Sequence, residues 1–252
     1  MRRKIADNLK RIEQRIAEAC HRVGRRPATV TLIAVTKYAS LDIIRTLVDL
    51  GVADLGESRV QEFTKRAAAV NEWLRRRPLD SNSLSRPRWH MVGHLQRNKV
   101  KALLPWADMI HSVDSLRLAE EIDLQSAKLE RTTPILLQVN LTDDSSKRGV
   151  AVAAATHLVE QIHSLPNVEV RGLMAMAPLT DDVQAIKYVF GRARELFDEI
   201  VGLRLCGPAF RDLSLGMSQD FEYGIEVGAT YVRVGSAIFE GIELATESVP
   251  AE

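Results

Sequence analysis

Residues 134–139 read PILLQV, an almost purely apolar run in the middle of the chain. A run of this length without polar alternation is typical of a β-strand that is buried on both faces. A helix is predicted to follow it over residues 151–165. A doubly buried strand followed by a helix is the repeating unit of a parallel α/β sheet. This pair therefore indicates which pattern to look for in the rest of the chain.

The same strand–helix unit recurs on both sides of this pair. The other predicted strands cover residues 29–35, 52–55, 89–92, 109–113, 168–174, 212–215 and 230–234. The other predicted helices cover residues 41–50, 60–74, 99–104, 115–129, 181–200, 220–226 and 236–239. Eight units fit a closed barrel better than an open doubly wound sheet, which usually has fewer strands. We predict an α/β fold, a single (β/α)8 TIM barrel over about residues 28–241, within one domain of residues 1–252.

An extra helix precedes the predicted barrel. Apolar residues recur at intervals of four and three from Ile5 to Val23, with charged residues between them. This spacing predicts an amphipathic helix that packs on the barrel. A helix lying on a membrane surface is the alternative, but Glu13 and Glu18 dilute its basic face. We also find neither the apolar core of a signal peptide nor the roughly 20 apolar residues of a membrane span.

The composition excludes several classes of protein. The 34 Lys and Arg residues balance 33 Asp and Glu residues, so the chain lacks the basic excess of a nucleic-acid-binding protein. Cys20 and Cys206 are too far apart for a zinc knuckle or a disulfide framework. We expect a cytoplasmic protein with neither nucleic acid nor a membrane as partner. The arginine-rich residues 75–88 are predicted to form a surface loop, since they lack the interleaved aromatics of a nucleic-acid site.

The loops after the carboxyl ends of barrel strands converge on one mouth, where barrel enzymes bind and react. Lys37 follows the apolar run LIAV at the first of these positions. We expect the stem of Lys37 in low-dielectric surroundings, which would lower the pKa of the amine and suit it to Schiff-base chemistry. The alternative is a lysine that simply reaches solvent.

Two glycine–serine turns follow the last two predicted strands. LSLGMS places Gly216 and Ser218 after the seventh strand, and VRVGSAIFEG places Gly235 and Ser236 after the eighth. Glycine lets an anion approach the backbone, N–H groups point at it, and a hydroxyl adds a donor. Barrels frequently build a phosphate site from these two loops. The alternative is that both serines are only helix N-caps.

Arg233 lies two residues before Gly235 and is predicted to share its inward face. A buried arginine needs an acceptor. Either an inward Glu57 or Asp114 supplies it, or a ring nitrogen or carboxylate of a ligand does. Lys37, Arg233 and the phosphate cup, our name for the two glycine–serine turns at Gly216–Ser218 and Gly235–Ser236, together describe a pocket for a phosphorylated aromatic aldehyde. Pyridoxal 5'-phosphate (PLP) is such a molecule.

A set of motifs that runs in order from about residue 5 to residue 241 resembles the pyridoxal phosphate homeostasis protein family, single-domain relatives of the barrel half of alanine racemase. The motifs are LIAVTK, GESRVQE, WHMVGHLQRNK, HSVDS, VN, KRG, RGLMAM, LSLGMS and VRVGSAIFEG. The resemblance implies that Lys37 carries PLP as a Schiff base, that Ser218, Gly235 and Ser236 hold its phosphate, and that Arg233 faces its pyridine nitrogen. An arginine there would oppose protonation of the ring and make the cofactor a poor electron sink.

Three further residues complete the expected cofactor-binding set. Ser58 stands where the family usually carries Asn, Met174 is expected to wall the ring, and His90 lies at the third strand end. Ser236 stands where the family often has Thr, which keeps the hydroxyl. A metal site at His90, His94 and His111 is not expected, because no acidic residue completes the spacing of a zinc-helix motif.

We expect a PLP-binding protein of cofactor homeostasis without strong turnover and without a catalytic residue. Only eleven residues follow Gly241, which we interpret as too few for the added domain that supplies racemases with a second acid or base. PLP-dependent apoenzymes would be the recipients, and we expect a monomer. The alternatives are an amino-acid racemase of weak activity with Lys37 as its single base, and a Schiff-base aldolase acting on a sugar phosphate.

Overall fold

The computed structural model describes residues 1–77, 85–142 and 148–244. Its strands are β1 (Thr31–Val35), β2 (Asp54–Glu57), β3 (Arg88–Met91), β4 (Met109–Val113), β5 (Thr133–Asn140), β6 (Val150–Ala151), β7 (Val168–Met174), β8 (Asp212–Ser214) and β9 (Tyr231–Val234). All of the pairings between them are parallel.

The sheet closes on itself because β1 pairs with β9. In that pairing Ile33 lies opposite Arg233 and Ala34 lies opposite Val234. Around the ring the order is β1, β2, β3, β4, β5, β7, β8 and β9, and the two-residue β6 adds to the edge of β5. The predicted closed eight-stranded barrel is therefore confirmed, and an open sheet is excluded.

Helices surround the strands as predicted, with one exception. They are α1 (Arg2–Arg22), α2 (Leu41–Asp49), α3 (Val60–Arg75), α4 (Val100–Leu103), α5 (Leu116–Lys128), α6 (Val152–His163), α7 (Val183–Gly202) and α8 (Phe221–Glu226). Short 3-10 turns cover Pro27–Thr29 and Arg97–Lys99.

The helix predicted over residues 236–239 was wrong, because this segment forms consecutive turns. The side-chain amide of Asn8 on α1 donates hydrogen bonds to the carbonyls of Ile238 (2.9 Å) and Glu240 (3.0 Å). These carbonyls are thereby satisfied by α1 rather than by a further helical turn. The extra helix α1 also buries the stripe that includes Ile5, Leu9 and Ile12, so its predicted amphipathic packing is confirmed.

The hydrophobic core has two layers. The larger layer lies between the strands and the helices, where for example the rings of Phe63 and Trp89 pack with their centres 5.5 Å apart. The second layer, inside the barrel, contains a small apolar cluster of Met109, Leu136 and Met174. Much of the remaining barrel interior is polar, and this feature was not predicted.

Two expectations concern parts of the chain that the structure describes only partly. The loop predicted at residues 75–88 begins at the end of α3 and ends at the start of β3, but residues 78–84 lie outside the described ranges. Residues 143–147 and 245–252, which include the lysine of the KRG motif, lie outside them as well. Within the described ranges no helix combines the length and the apolar character that crossing a membrane requires.

Candidate functional site

Barrel closure brings the first and last parts of the predicted site together. Beyond the Ala34–Val234 pair, the chain continues to Lys37 on one side and to the Gly235 turn on the other. A Cβ atom added at Gly235 would lie 3.3 Å from the carbonyl oxygen of Val35. The glycine turn after β9 therefore packs against the end of β1, two residues from Lys37.

The two serine turns meet at Ser218. Its Oγ accepts hydrogen bonds from the backbone N–H groups of Gly235 (3.2 Å) and Ala237 (3.3 Å). Ser218 is half-buried and Ser236 is exposed at the mouth. Because two N–H groups converge on one position, an anionic oxygen placed there would accept both more strongly than a neutral hydroxyl does.

The alternative that these serines are only helix N-caps was wrong. Ser218 accepts from the turn after β9 and not from a helix of its own, and the residue that precedes α8 is Asp220. Ser236 begins no helix. Gly216 shapes the first turn, since its φ is +86° and a Cβ atom there would lie 2.4 Å from the Cα of Phe221.

Lys37 is exposed, and its ammonium nitrogen lies 4.8 Å from the ring centre of Tyr38. The expectation of low-dielectric surroundings was therefore wrong, because Lys37 lies two residues beyond the end of β1. Its backbone is nevertheless well held. Arg59 donates to the carbonyl of Lys37 (2.9 Å), and Arg66 donates to the carbonyl of Thr36 (2.6 Å).

Arg233 is 4% exposed and makes no ion pair among the described residues. Its Nη1 donates to the carbonyl oxygen (2.8 Å) and Oγ (2.7 Å) of Ser214, and its Nη2 donates to the carbonyl of Ala175 (3.0 Å). Burial lowers the pKa of Arg233 to about 10, so the guanidinium remains charged at neutral pH. A buried cation held by neutral oxygens at the floor of the mouth fits an electronegative ligand group.

The carboxylates that were considered as partners of Arg233 lie elsewhere. Glu57 is fully buried on the outer side of β2, where it pairs with Arg66 of α3. Asp114 lies 3.8 Å from His94 at the mouth. The alternative that Glu57 or Asp114 neutralises Arg233 was therefore wrong.

The remaining predicted residues are not all brought to the mouth. Both ring nitrogens of His90 are hydrogen-bonded inside the barrel, to Asp54 (2.9 Å) and to His111 (3.0 Å). We therefore reassign His90 from cofactor contact to the barrel interior. Met174 is 1% exposed and packs in the small interior cluster, and the hydroxyl of Ser58 points back to the Glu57 carboxylate (3.4 Å).

Sequence reasoning missed Ser214, which bonds both Arg233 and His111. The available signal was the alternation along each strand. Asp54, His90 and Ser214 sit at positions that alternate with outward apolar residues, which places their side chains inside the barrel. Within the described residues, no group of three or more His, Cys, Asp or Glu side chains could hold a metal ion.

Comparison with known proteins agrees with this geometry. The family model for the alanine racemase N-terminal domain matches residues 5–242. The pyridoxal phosphate homeostasis protein of Aquifex aeolicus is 37% identical over 233 residues, which cover 92% of this chain and 96% of the relative. The protein of the same name from Escherichia coli K12 is 35% identical and covers 93% and 95%. The chain belongs to the pyridoxal phosphate homeostasis protein family.

Solved structures extend the comparison. PipY of Synechococcus elongatus, solved with PLP bound, is similar with a TM-score of 0.79 and 32% identity, covering 93% of this chain and 99% of PipY. The alanine racemase of Corynebacterium glutamicum is similar with a TM-score of 0.65 and 12% identity, covering 97% of this chain and 64% of the racemase. The second likeness concerns the fold alone.

Proposed function

We propose that this member of the pyridoxal phosphate homeostasis protein family binds PLP at the mouth of the barrel, holds it as a Schiff base on Lys37, and serves PLP homeostasis without strong turnover. The convergence of the Gly235 and Ala237 N–H groups beside the end of β1 is the observation that carries this proposal. The names of the relatives and the PLP-bound PipY structure support it.

The donors at the mouth fit PLP group by group. Backbone N–H groups and the hydroxyls of Ser218 and Ser236 suit a phosphate, because each donates to a negatively charged oxygen. The exposed amine of Lys37 suits the aldehyde, and the guanidinium of Arg233 suits the ring nitrogen. PLP supplies an aldehyde that condenses with amines and a ring that can accept electrons.

The charge of Arg233 is our physical reason for proposing that the protein lacks strong turnover. It keeps its charge at neutral pH and its acceptors are all neutral. A cation that donates to the ring nitrogen opposes protonation of that nitrogen, and an unprotonated ring stabilises a carbanion poorly. The exposed Lys37 and Ser236 leave the mouth open to acceptor proteins, so we include PLP-dependent apoenzymes among the partners.

The absorption spectrum of the purified protein with PLP tests the proposal. We expect a visible band from the protein-bound Schiff base that is lost in Lys37→Ala. Lys128→Ala, which removes an exposed lysine from the end of α5, is the matched control and should keep the band. A band that persists in Lys37→Ala would contradict the role of Lys37.

Turnover is tested separately with the enantiomers of alanine and serine. We expect the loaded protein to interconvert them no faster than free PLP does. Interconversion that exceeds free PLP and disappears in Lys37→Ala would favour the weak racemase. Borohydride trapping of a sugar phosphate in place of PLP would favour the aldolase.

A further inference from the structure

A continuous chain of hydrogen bonds crosses the barrel interior from the start of β2 to the mouth. Arg88 donates from Nε and Nη2 to Asp54 (both 2.7 Å), and Asp54 Oδ1 lies 2.9 Å from His90 Nε2. His90 Nδ1 lies 3.0 Å from His111 Nε2, and His111 Nδ1 lies 3.0 Å from Ser214 Oγ. Arg233 then donates to that same Oγ at 2.7 Å. We call these six residues the interior chain: Arg88, Asp54, His90, His111, Ser214 and Arg233.

The interior chain is buried and sealed from its sides. Five of its six members are at most 5% exposed, and Arg88 alone reaches solvent. The ring of Tyr231 packs on the imidazoles of His90 and His111, with centres 5.8 and 5.4 Å apart. Apolar residues of similar volume in place of a buried ionic network are often neutral or stabilising, so stability alone does not explain the interior chain.

One assignment of protons satisfies every bond with both imidazoles neutral. Arg233 can only donate, so the Ser214 hydroxyl accepts a hydrogen bond from Arg233 and donates one to His111 Nδ1. His111 then donates from Nε2 to His90, and His90 donates from Nε2 to Asp54. Burial is the main cause that lowers the pKa of His111 well below its ordinary value, which agrees with a neutral ring.

Other charged and titratable groups around the two histidines come from five strands. Asp54 faces His90 from β2, Arg88 bonds Asp54 from β3, and Tyr231 and Arg233 face the rings from β9. Asp212 of β8 and Arg171 of β7 form an ion pair (2.8 Å) whose charges act on Tyr231, and the small interior cluster supplies the apolar part of the surroundings. With both imidazoles neutral, the donor order runs from Arg233 at the mouth to the Asp54 carboxylate.

We propose that Ser214 and His111 are positioning residues for Arg233. Three of the five N–H donors of Arg233 are used by Ser214 and Ala175. Because Ser214 is itself hydrogen-bonded to His111, these bonds hold the guanidinium in one rotation and leave two N–H donors for a ligand. The inference rests on the proposed function, which puts the ring nitrogen of PLP at those donors.

The first experiment follows the visible band of the PLP-loaded protein as a function of pH. Ser214→Ala removes the hydroxyl that links Arg233 to His111, and we expect it to shift the midpoint of the spectral titration by about one pH unit. Ser214→Thr, which keeps a hydroxyl, should restore the midpoint. Ser112→Ala is the matched control, because its Oγ is buried on the next residue to His111 without a hydrogen-bond partner. A Ser214→Ala midpoint equal to that of Ser112→Ala would overturn the proposal.

The second experiment begins with the wild-type protein alone, without PLP. Long-range ¹H–¹⁵N NMR of the protein alone should show His90 and His111 neutral with the proton on Nε2. A cationic His111 near neutral pH, or a proton on its Nδ1, would overturn the proposal. In the same spectra Ser214→Ala should move the Arg233 side-chain signals and Ser112→Ala should not. If they move as expected and wild-type protein still gives no visible band with PLP, the positioning of Arg233 is supported and the proposed function fails.

Discussion

Arg66 and Arg233 are almost equally buried, at 5% and 4% exposure, yet their surroundings differ completely. Arg66 lies between β2 and α3, where it pairs with the fully buried Glu57 and also with Glu62. Arg233 lies at the floor of the mouth, where only neutral oxygens of Ser214 and Ala175 accept from it. The charge of Arg66 is neutralised by carboxylates within the chain, whereas Arg233 donates only to neutral oxygens, and we propose that a ligand completes its surroundings. At nearly equal burial, the comparison separates an arginine with carboxylate partners from one that donates only to neutral oxygens.

The largest effect on stability is expected at Arg66. Arg66→Ala leaves Glu57 buried without its cation, so we expect the free energy of unfolding to fall by about 3–5 kcal/mol. Urea denaturation measures this loss. Arg75→Ala, at the exposed end of the same helix, should change it by less than about 0.5 kcal/mol. A loss as small in Arg66→Ala would show that the ion pair is not structural.

Arg233→Gln should give the opposite result. Removing a buried cation relieves its desolvation, which offsets the loss of its attraction to the buried Asp220, so we expect the stability without PLP to change by less than about 1 kcal/mol. The rise in Tm caused by PLP should shrink clearly, since a ligand stabilises only through its affinity for the folded state. Thermal unfolding with and without PLP measures both quantities. Equal PLP stabilisation of wild type and Arg233→Gln would contradict the proposal that Arg233 binds PLP.

At the serine turns the effect should be confined to binding. Ser236 is exposed, so Ser236→Ala should leave the unfolding free energy unchanged while it weakens PLP retention about tenfold, the loss of one hydrogen bond to a charged group. Equilibrium dialysis against PLP measures retention. The exposed Ser164 at the end of α6 provides the control Ser164→Ala. Unchanged retention in Ser236→Ala would count against the phosphate cup.

A pH dependence of stability is expected from His111, with a gradual onset rather than a single loss. The unfolded chain protonates this imidazole below about pH 6.5, whereas burial is the main cause that lowers its pKa in the folded chain. The unfolded state therefore binds the proton first, and stability falls below about pH 6.5 by up to about 1.4 kcal/mol per pH unit. Urea denaturation from pH 7 to pH 5 should show a flatter profile in His111→Gln than in His157→Gln, which alters an exposed histidine. Identical profiles would contradict a neutral, buried His111.

The parts of the molecule that follow from chain order could be predicted from the sequence. Strand–helix alternation predicts the barrel, and the barrel fixes which strand ends share the mouth. Lys37, Ser218 and Gly235 could therefore be grouped although some 180 residues separate the lysine from the serine. Residue types at those ends then indicated phosphate and aldehyde chemistry.

Features that depend on which side chains meet could not be predicted. The bond between His90 and His111 and the link from His111 to Ser214 join strands β3, β4 and β8, and barrel closure sets their distances. The turns at residues 236–239 form because Asn8, more than 200 residues away, takes up the free carbonyls. The exposure of Lys37 likewise depends on how far the chain extends beyond β1.

Borohydride reduction of the PLP-loaded protein, followed by proteolysis and mass spectrometry, tests the central claim most directly. The account predicts that the pyridoxyl phosphate adduct is found on the peptide that contains Lys37, and that inorganic phosphate in excess lowers the yield. An adduct spread over other lysines, or a yield that phosphate does not change, would contradict a single PLP held between Lys37 and the two serine turns.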